Sequence, residues 1–534
     1  MDREAPVVPA GGRKIWTLAL VLFACGGDGG QLLPPLGEVE IVVDTDMPVP
    51  RLVSRLRVDA YSEPDVRWIE SRDFLRASPA DWPASFVVYS PDASRGGTMR
   101  VRLRAYLDGK VRDYRGERYM ESPPDGAPNA VAPLPAATNL PRLLDDTGRD
   151  ITPLSEPQPL LTIDRLVRVT ITPGLKQRVN VVLRGECVGV MADVPGARTC
   201  VDDPKQRVSP DLPEVPRTTD ALGPSVAGSF DAPTRCDLPT RAATTLPDGT
   251  PLYDDEVCVP KGVFVFGWPE FAFDMITQLG EPERMARVPA FRMDRNEVTV
   301  GRWRHAIAEG FTPPPESVAI NDAPLPRGPA AVATNPLRTS QCTYSSIPMG
   351  RETYPMMCVT WAAALAFCRF YDGDLPLEVQ WAYAAVAAAR PLPTAYPWGG
   401  PDDDLPSCSR GVFARGLAAD AQDANVCASV GFGPQPVEAG MGPQGDFSLV
   451  LGIANLGGGV SEWVRDDSDA LDSICWMRNG LDLPGCVDPR SKYKQYRGGS
   501  WDTPPSGVPS GIRQGADNVA AKLDVGFRCV REAP

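Results

Sequence analysis

The sequence has almost no histidine: His305 is the single one among 534 residues. A metal site built from three histidines, or from two histidines and a carboxylate, therefore cannot form. A Ser-His-Asp hydrolase would have to use His305 as its base. Because His305 lies beside Arg302 and Arg304 in a predicted helix, we expect it to be a solvated surface residue.

The apolar run from Ile15 to Ala24 is too short to span a bilayer. It follows Arg13 and Lys14 and precedes Cys25, a pattern typical of a signal peptide. The end of this segment resembles a bacterial lipobox, whose cysteine is lipidated and becomes the N-terminus. We therefore expect residues 1–24 to be a lipoprotein signal peptide and Cys25 to anchor the mature protein in the cell envelope. Glycine rather than aspartate after Cys25 favours the outer membrane; an ordinary signal peptide followed by a structural cysteine is the alternative.

Basic residues are fewer than acidic ones, and the formal net charge is −14. Such a chain repels phosphate backbones, and no basic stripe with interleaved aromatic residues is present, so we do not expect a nucleic-acid partner. Of the 13 cysteines, 12 remain when Cys25 is lipidated. An even number in an oxidising compartment predicts disulfides. Neighbours by spacing are Cys187 and Cys200, Cys236 and Cys258, Cys342 and Cys358, Cys408 and Cys427, and Cys475 and Cys486, although spacing alone leaves other pairings open.

The length predicts several domains. Residues 36–203 show the period-two alternation of strands; for example, the run from Met99 to Ala105 alternates apolar residues with arginines. One face of each strand is then expected in a core and the other in water. We predict an antiparallel β-sandwich of about seven strands, with Cys187 and Cys200 closing its last loop. No acid, base or metal cluster is visible there, which favours a scaffold or docking module.

Residues 204–235 are rich in proline, serine, threonine, aspartate and glycine, a composition that predicts an extended linker. A cysteine-containing lead-in follows over residues 236–258. The remainder, residues 259–532, is expected to form a separate domain.

That last domain carries an ordered series of motifs. They are Val263–Gly267 (VFVFG), Phe291–Trp303 (FRMDRNEVTVGRW), Pro355–Cys368 (PMMCVTWAAALAFC), Leu375–Ala385 (LPLEVQWAYAA), Tyr396–Gly399 (YPWG), Leu456–Trp463 (LGGGVSEW), Tyr496–Trp501 (YRGGSW) and Gly526–Cys529 (GFRC). In this order they resemble the formylglycine-generating enzyme, or sulfatase-modifying factor, family. The resemblance implies an α+β fold of the C-type-lectin-like kind.

The copper oxidases of this family carry two cysteines after the GGS motif, and their thiolates bind Cu(I). The corresponding positions here are Thr503 and Val508. A hydroxyl group and an isopropyl group cannot replace soft thiolate ligands, so we expect no copper. The resemblance further places a pocket near Ser500, Trp501 and Arg513.

The resemblance also implies a structural calcium ion. Its ligands map to the side chains of Asn455 and Glu462 and to the main-chain carbonyls of Gly458 and Val460. Hard oxygen ligands on a glycine-rich loop suit Ca²⁺; a turn cap at Asn455 and an exposed Glu462 are the alternative. Family members also join the two cysteines that correspond to Cys368 and Cys529 in a disulfide.

Together these observations predict an envelope lipoprotein whose last domain is a non-catalytic binding or structural module. Its partner is an unidentified envelope protein or glycan. The alternative is an oxidase that acts on protein cysteine through an atypical site, with Cys475 or Cys486 as free thiols. A third possibility makes the N-terminal β domain the functional part and the last domain a cap.

Overall fold

The computed structural model describes residues 18–19, 37–64, 66, 68–90, 94–113, 155–232, 235–267, 283–325, 341–399, 406–416, 427, 433–437, 446–448, 450–471 and 473–532. Cys25, the predicted lipidation site, lies outside these residues. The chain divides into two compact units, residues 1–230 and residues 231–534. The division falls inside the segment predicted to be a linker.

The N-terminal unit is built from β-strands. They are β1 (Leu18–Ala19), β2 (Glu38–Thr45), β3 (Arg55–Ser62), β4 (Trp68–Leu75), β5 (Ala84–Tyr89), β6 (Gly97–Tyr106), β7 (Val111–Asp113), β8 (Ser155–Pro157), β9 (Thr162–Ile171), β10 (Lys176–Leu183) and β11 (Val215–Pro216). One sheet has the order β1-β5-β2-β10-β11, a second has the order β4-β3-β6-β9, and β7 pairs with β8. Strands β2 and β10 of the first sheet contact β9 of the second.

Strands β2 and β10 pair in parallel, whereas the sequence predicted antiparallel pairing throughout. The whole second sheet lies between them in the chain, and this long connection lets both strands run in the same direction. Arg178 stands opposite Glu40, and its Nε donates to the Glu40 carboxylate at 2.7 Å. The apolar side chains of β2, such as Ile41 and Val43, are fully buried.

The arginine face of β6 is buried, which corrects the expectation that it lies in water. Arg100, Arg102 and Arg104 are each at most 8 % exposed. The Nε of Arg102 donates to both carboxylate oxygens of Asp164 on β9, at 2.9 and 3.0 Å. Arg100 donates to the carbonyl of Val194, in the loop that the Cys187–Cys200 disulfide closes. This face can be buried because each guanidinium group is hydrogen-bonded to an acidic side chain or to a main-chain carbonyl.

The C-terminal unit combines short strands with a few helices. Its strands are β12 (Glu256–Val259), β13 (Gly262–Phe266), β14 (Arg284–Val288), β15 (Phe291–Asp294), β16 (Ser461–Asp467), β17 (Tyr493–Arg497), β18 (Arg513–Asp517), β19 (Val525–Gly526) and β20 (Val530–Glu532), and its helices are α1 (Val300–Ala308), α2 (Trp361–Phe370), α3 (Glu378–Val386) and α4 (Ile474–Met477). The sheets have the orders β12-β15-β20, β13-β14 and β18-β17-β16-β19. No helix among the described residues is both long and apolar enough to cross a membrane.

The motifs noted in the sequence start the helices. Thr299 caps α1 by accepting a hydrogen bond from the N–H of Arg302, and Thr360 caps α2 in the same way. Such caps satisfy N–H groups that have no partner within the helix. His305 lies on α1 and is partly exposed, 3.3 Å from Glu309. All nine residues of α3 are buried, so this helix forms the centre of the unit.

Six disulfides join the cysteines that follow Cys25. The pairs are Cys187–Cys200, Cys236–Cys258, Cys342–Cys358, Cys368–Cys529, Cys408–Cys427 and Cys475–Cys486. Disulfide bonding of the chain is therefore supported. The Cys368–Cys529 bridge spans 161 residues and ties α2 to the segment before β20.

A buried ion pair joins the parts of the C-terminal unit. The Nε of Arg528 donates to both oxygens of Glu462, at 2.9 and 2.7 Å, and the indole N–H of Trp381 donates to the same carboxylate at 2.8 Å. Arg528 also donates to the carbonyls of Asp294 at 3.1 Å and Ala454 at 2.7 Å. Arg528 is fully buried, so it holds β15, β16 and the loop before β16 together.

The substitution Arg528→Lys tests this role. Lysine keeps the charge but presents three donors without the planar fork, so carbonyls and carboxylate oxygens lose their partners. We expect the free energy of unfolding to fall by about 3 kcal/mol or more. Chemical denaturation followed by tryptophan fluorescence measures this, because eight of the 11 tryptophans lie in residues 231–534.

Arg490→Lys is the matched control. The Arg490 side chain is 88 % exposed and pairs with Asp488 at the surface. Its substitution is expected to change the unfolding free energy by less than about 0.5 kcal/mol. Equal losses in the two variants would contradict the central role of Arg528.

Candidate functional site

The copper positions of the family contain a hydrogen-bonded hydroxyl and a packed valine. The Thr503 hydroxyl accepts a hydrogen bond from the N–H of Ser500 at 2.9 Å and lies 2.8 Å from the Ser500 hydroxyl. Val508 is fully buried against Trp398 and Phe413. Neither position presents an atom that binds Cu(I), and the space beside Val508 is filled with apolar side chains.

The described cysteines supply no substitute thiolate. Cys475 and Cys486, on which the oxidase alternative depended, form a disulfide. Cys408 and Cys427, beside Val508 in the same apolar cluster, are also paired. A disulfide sulfur is neither a nucleophile nor a thiolate ligand. That alternative therefore loses the two thiols it required.

Two of the predicted pocket residues, Ser500 and Trp501, lie among buried side chains, and the pocket itself stays a prediction. Ser500 is fully buried, and its hydroxyl lies 3.3 Å from a carboxylate oxygen of Asp524. Trp501 packs into a small apolar cluster with Val412, among other residues. Arg513 instead lines a cavity that neither Ser500 nor Trp501 reaches.

The cavity at Arg513 has a volume of about 30 Å³. Its apolar lining comes from β13, α3 and Leu471, and its polar lining includes Arg497 and Arg513. Arg513 donates to both oxygens of Glu378, at 2.6 and 2.9 Å, and Arg497 lies 3.2 Å from the same carboxylate. Glu378 is fully buried at the start of α3. Its single negative charge therefore offsets only part of the combined positive charge of Arg497 and Arg513.

Asp466 lies behind Glu378 and completes this charged group. Its two oxygens accept hydrogen bonds from the main-chain N–H groups of Glu378 and Cys486, at 2.6 and 2.7 Å. Burial, and then the nearby charge of Glu378, raise the pKa of Asp466 to about 7. Both effects disfavour the charged form of the carboxyl group.

The predicted calcium loop is surrounded by buried carboxyl groups. Glu297 accepts hydrogen bonds from the Asn455 amide at 3.0 Å and from the N–H of Val460 at 3.2 Å. Asp446 accepts from the N–H of Gly457 at 2.5 Å, and its other oxygen is buried without a partner among the described residues. Burial raises the pKa of Glu297 to about 8 and that of Asp446 to about 7.

The chemistry of this loop suits a hard cation, although one ligand is already engaged. Glu297, Asp446 and Glu462 are three buried carboxyl groups near one guanidinium, that of Arg528. Within the described residues, one oxygen of Asp446 is an acceptor without a donor. Arg528 and Trp381 occupy both oxygens of Glu462, so calcium binding through Glu462 requires one of them to give way.

Within the described part of the chain, no three histidine, cysteine, aspartate or glutamate side chains are grouped closely enough to hold a metal ion. The predicted calcium site has one carboxylate, one side-chain amide and two main-chain carbonyls as ligands, so it is not a cluster of three such side chains. Calcium binding at this site stays a prediction. Gly458 is a predicted ligand through its main-chain carbonyl. Its Cα lies close to the backbone of Val412, and a Cβ added at Gly458 would lie 2.9 Å from both the N and the O atom of Val412.

Sequence reasoning missed Glu297, Asp446, Glu378 and Arg528 as members of these buried groups. Glu297, Glu378 and Arg528 were in view, because they belong to the EVT, LPLEVQWAYAA and GFRC motifs. Asp446 belongs to none of these motifs. Its buried environment arises only when distant segments come together.

A family model for the sulfatase-modifying factor enzyme 1-like domain matches residues 242–533. The hercynine oxygenase of Mycolicibacterium smegmatis is 26 % identical over 295 residues, which are 53 % of this chain and 63 % of that protein. The inactive C-alpha-formylglycine-generating enzyme 2 of Bos taurus is 27 % identical over 182 residues, 34 % of this chain and 51 % of that protein. The chain therefore spans less than two thirds of either relative.

Solved structures are similar over about half of the chain. PvdO from Pseudomonas aeruginosa is 19 % identical, with a TM-score of 0.39, and the match covers 55 % of this chain and all of that one. Treponema denticola variable protein 1 is 12 % identical, with a TM-score of 0.36 over 55 % of this chain and 99 % of that one. The match of the family model covers more than half of the chain and confirms the resemblance: the chain belongs to the sulfatase-modifying factor enzyme 1-like family, the family of the formylglycine-generating enzyme.

Proposed function

We propose that the C-terminal unit is a non-catalytic binding or structural module rather than a copper oxidase. The observation that carries this proposal is the apolar burial of Val508 at the second thiolate position. The hydroxyl pair of Thr503 and Ser500 supports it at the first position. The name of the Bos taurus relative describes an inactive member of the family, which agrees with a loss of chemistry.

We also propose finer assignments for the two units. The β-rich C-terminal unit, with its short helices, is proposed to have the C-type-lectin-like form of the family. The N-terminal unit is proposed to be a β-sandwich over residues 36–203, a scaffold or docking module joined through the proline-rich segment 204–235. The contacts of β2 and β10 with β9 support this assignment.

The copper proposal predicts that the purified disulfide-bonded protein takes up no stoichiometric Cu(I). It also predicts no O₂-dependent conversion of a cysteine peptide to a formylglycine peptide, because no soft ligand holds the metal. Competition with a chromophoric Cu(I) chelator measures the first property, and peptide mass spectrometry measures the second.

The variant Thr503→Cys/Val508→Cys is the matched positive control, since it places thiols at both family positions. Thr503→Cys alone provides one thiol and is expected to bind Cu(I) much more weakly than the double variant. Stoichiometric copper in the unmodified protein, together with peptide oxidation, would refute the proposal.

We further propose a structural calcium ion at Asn455, Gly458, Val460 and Glu462. The excess of buried carboxyl groups around the loop supports a cation there. Oxygen ligands with flexible geometry are those that Ca²⁺ prefers. Asn455 has a φ of 57°, a left-handed conformation that asparagine tolerates better than most residues.

Calcium binding predicts a chelator-dependent stability. The protein is first held at a free calcium concentration of about 100 times the calcium Kd. Removing this calcium with EGTA should lower the free energy of unfolding by about 2.7 kcal/mol and lower Tm by roughly 5 °C or more. Differential scanning fluorimetry with and without EGTA measures the difference. In Asn455→Ala, which lacks the amide oxygen, the difference should vanish, whereas Asn518→Ala, in a distant turn, should retain it. An EGTA-independent Tm in the unmodified protein would contradict the proposal.

The cellular setting is proposed from the sequence. Cys25 is taken as the lipid-bearing N-terminus of an envelope protein held at the outer membrane, and the partner as an envelope protein or glycan. Mass spectrometry of the N-terminal peptide from the native host tests the anchor. An unmodified N-terminus at another residue would rule it out.

A further inference from the structure

The proline-rich segment lies against strands of the N-terminal unit over much of its length. Its strand β11 pairs with β10 in antiparallel fashion, with Arg178 among the paired residues. The guanidinium of Arg178 also donates to the carbonyls of Thr219 and Ala221, at 2.7 and 3.0 Å. The middle of the segment is therefore bound to the edge of a sheet.

A second group of contacts fixes the end of the same segment. The carboxylate of Asp44 accepts hydrogen bonds from the Ser225 hydroxyl at 2.9 Å and from the N–H of Val226 at 2.7 Å. The N–H of Phe230 donates to the carbonyl of Asp46 at 2.7 Å, and the Phe230 side chain is buried. A protease needs an extended and accessible chain, so residues 215–230 must first leave these contacts before they can be cut.

The one basic residue within this docked stretch is Arg217. Its side chain is only 13 % exposed and lies 3.3 Å from the Glu40 carboxylate. Its N–H donates to the carbonyl of Lys176 at 2.9 Å. Proteases that select a basic residue bind that side chain in a pocket. Arg217 can enter such a pocket only after it has left β2 and β10.

Arg235 is the first basic residue after Phe230, and its surroundings are the opposite of those of Arg217. Its side chain is 92 % exposed. Residues 235–238 belong to no helix or strand. An exposed, irregular segment of this kind is where proteases cut folded proteins.

The disulfides leave the bond between Arg235 and Cys236 unbridged. Cys187–Cys200 lies in the N-terminal unit, and the other five pairs all follow Arg235. Hydrolysis of this bond consumes one water molecule and leaves a carboxylate on Arg235 and an amino group on Cys236. The Cys236–Cys258 bridge then holds the new N-terminus against β12.

We propose that the bond between Arg235 and Cys236 is a processing site, at which an endoprotease that cuts after arginine releases the C-terminal unit with its five disulfides intact. The cut itself does not depend on the proposed function. Its consequence rests on that proposal in one respect: with a lipid on Cys25, the product is a binding module freed from the membrane.

Limited digestion of the full disulfide-bonded chain with trypsin tests the accessibility of the bond. Mass spectrometry identifies each new N-terminus, and a denaturing gel without reductant shows which fragments have come apart. Within residues 204–258 we expect the first new N-terminus to be Cys236. A first cut after Arg217, or no cut in this range, would overturn the proposal.

Two variants show whether this bond is the one that separates the two parts of the chain. Arg235→Gln should lose the separation on the gel without reductant. Arg241→Gln is the matched control and should separate like the unmodified chain, because Arg241 lies inside the loop closed by Cys236–Cys258. A cut there separates the parts only after reduction. Equally fast separation of Arg235→Gln would show that another bond is used, and the site would be rejected.

Processing in the native host is tested by mass spectrometry of the culture medium. We expect a fragment with Cys236 at its N-terminus, and we expect its loss when the host carries Arg235→Gln. If trypsin cuts the bond but the host yields no such fragment, the processing role is rejected.

The outcome is separable from that of the proposed function. If no fragment begins at Cys236 and no cysteine peptide is oxidised, the processing site is rejected while the non-catalytic module stands. If the released fragment takes up Cu(I) and oxidises a cysteine peptide, the proposed function is rejected while the processing site stands.

Discussion

The guanidinium of Arg528 has lost all contact with water, and a buried cation is tolerated only where its N–H groups find acceptors. Glu462 supplies the opposite charge, and main-chain carbonyls from two other segments supply the remaining acceptors. The geometry of each segment is constrained by the same planar group. The Arg528–Glu462 pair therefore fixes the relative positions of three elements. These are the glycine-rich loop before β16, the end of β15 and Trp381 of α3.

The two units solve the problem of buried charge in different ways. In the N-terminal unit, arginines of β6 meet acids on adjacent strands of the same sheet, so pairing follows from strand register. In the C-terminal unit, Arg528 and Glu378 join segments far apart in the chain. The first arrangement secures one sheet, whereas the second fixes how separate elements meet.

Local signals in the sequence predicted much of the framework. The ordered motifs predicted the family, and two of them contain the threonines that cap α1 and α2 in the structure. The parallel pairing of β2 with β10 and the burial of the arginine face were missed, because both depend on contacts between distant segments. The same reason applies to the site. Thr503 and Val508 could be counted from a motif, but the apolar surroundings of Val508 and the cavity at Arg513 could not be predicted.

Arg528 follows all of its hydrogen-bond partners in the sequence, and this order has a consequence for biosynthesis. Residues 525–532 contribute β19, Arg528, Cys529 and β20, and each of these joins a segment made much earlier. While residues 525–532 are still inside the ribosome, the earlier segments lack their shared cation and their closing strand. The nascent C-terminal unit therefore completes its core only after these residues have emerged.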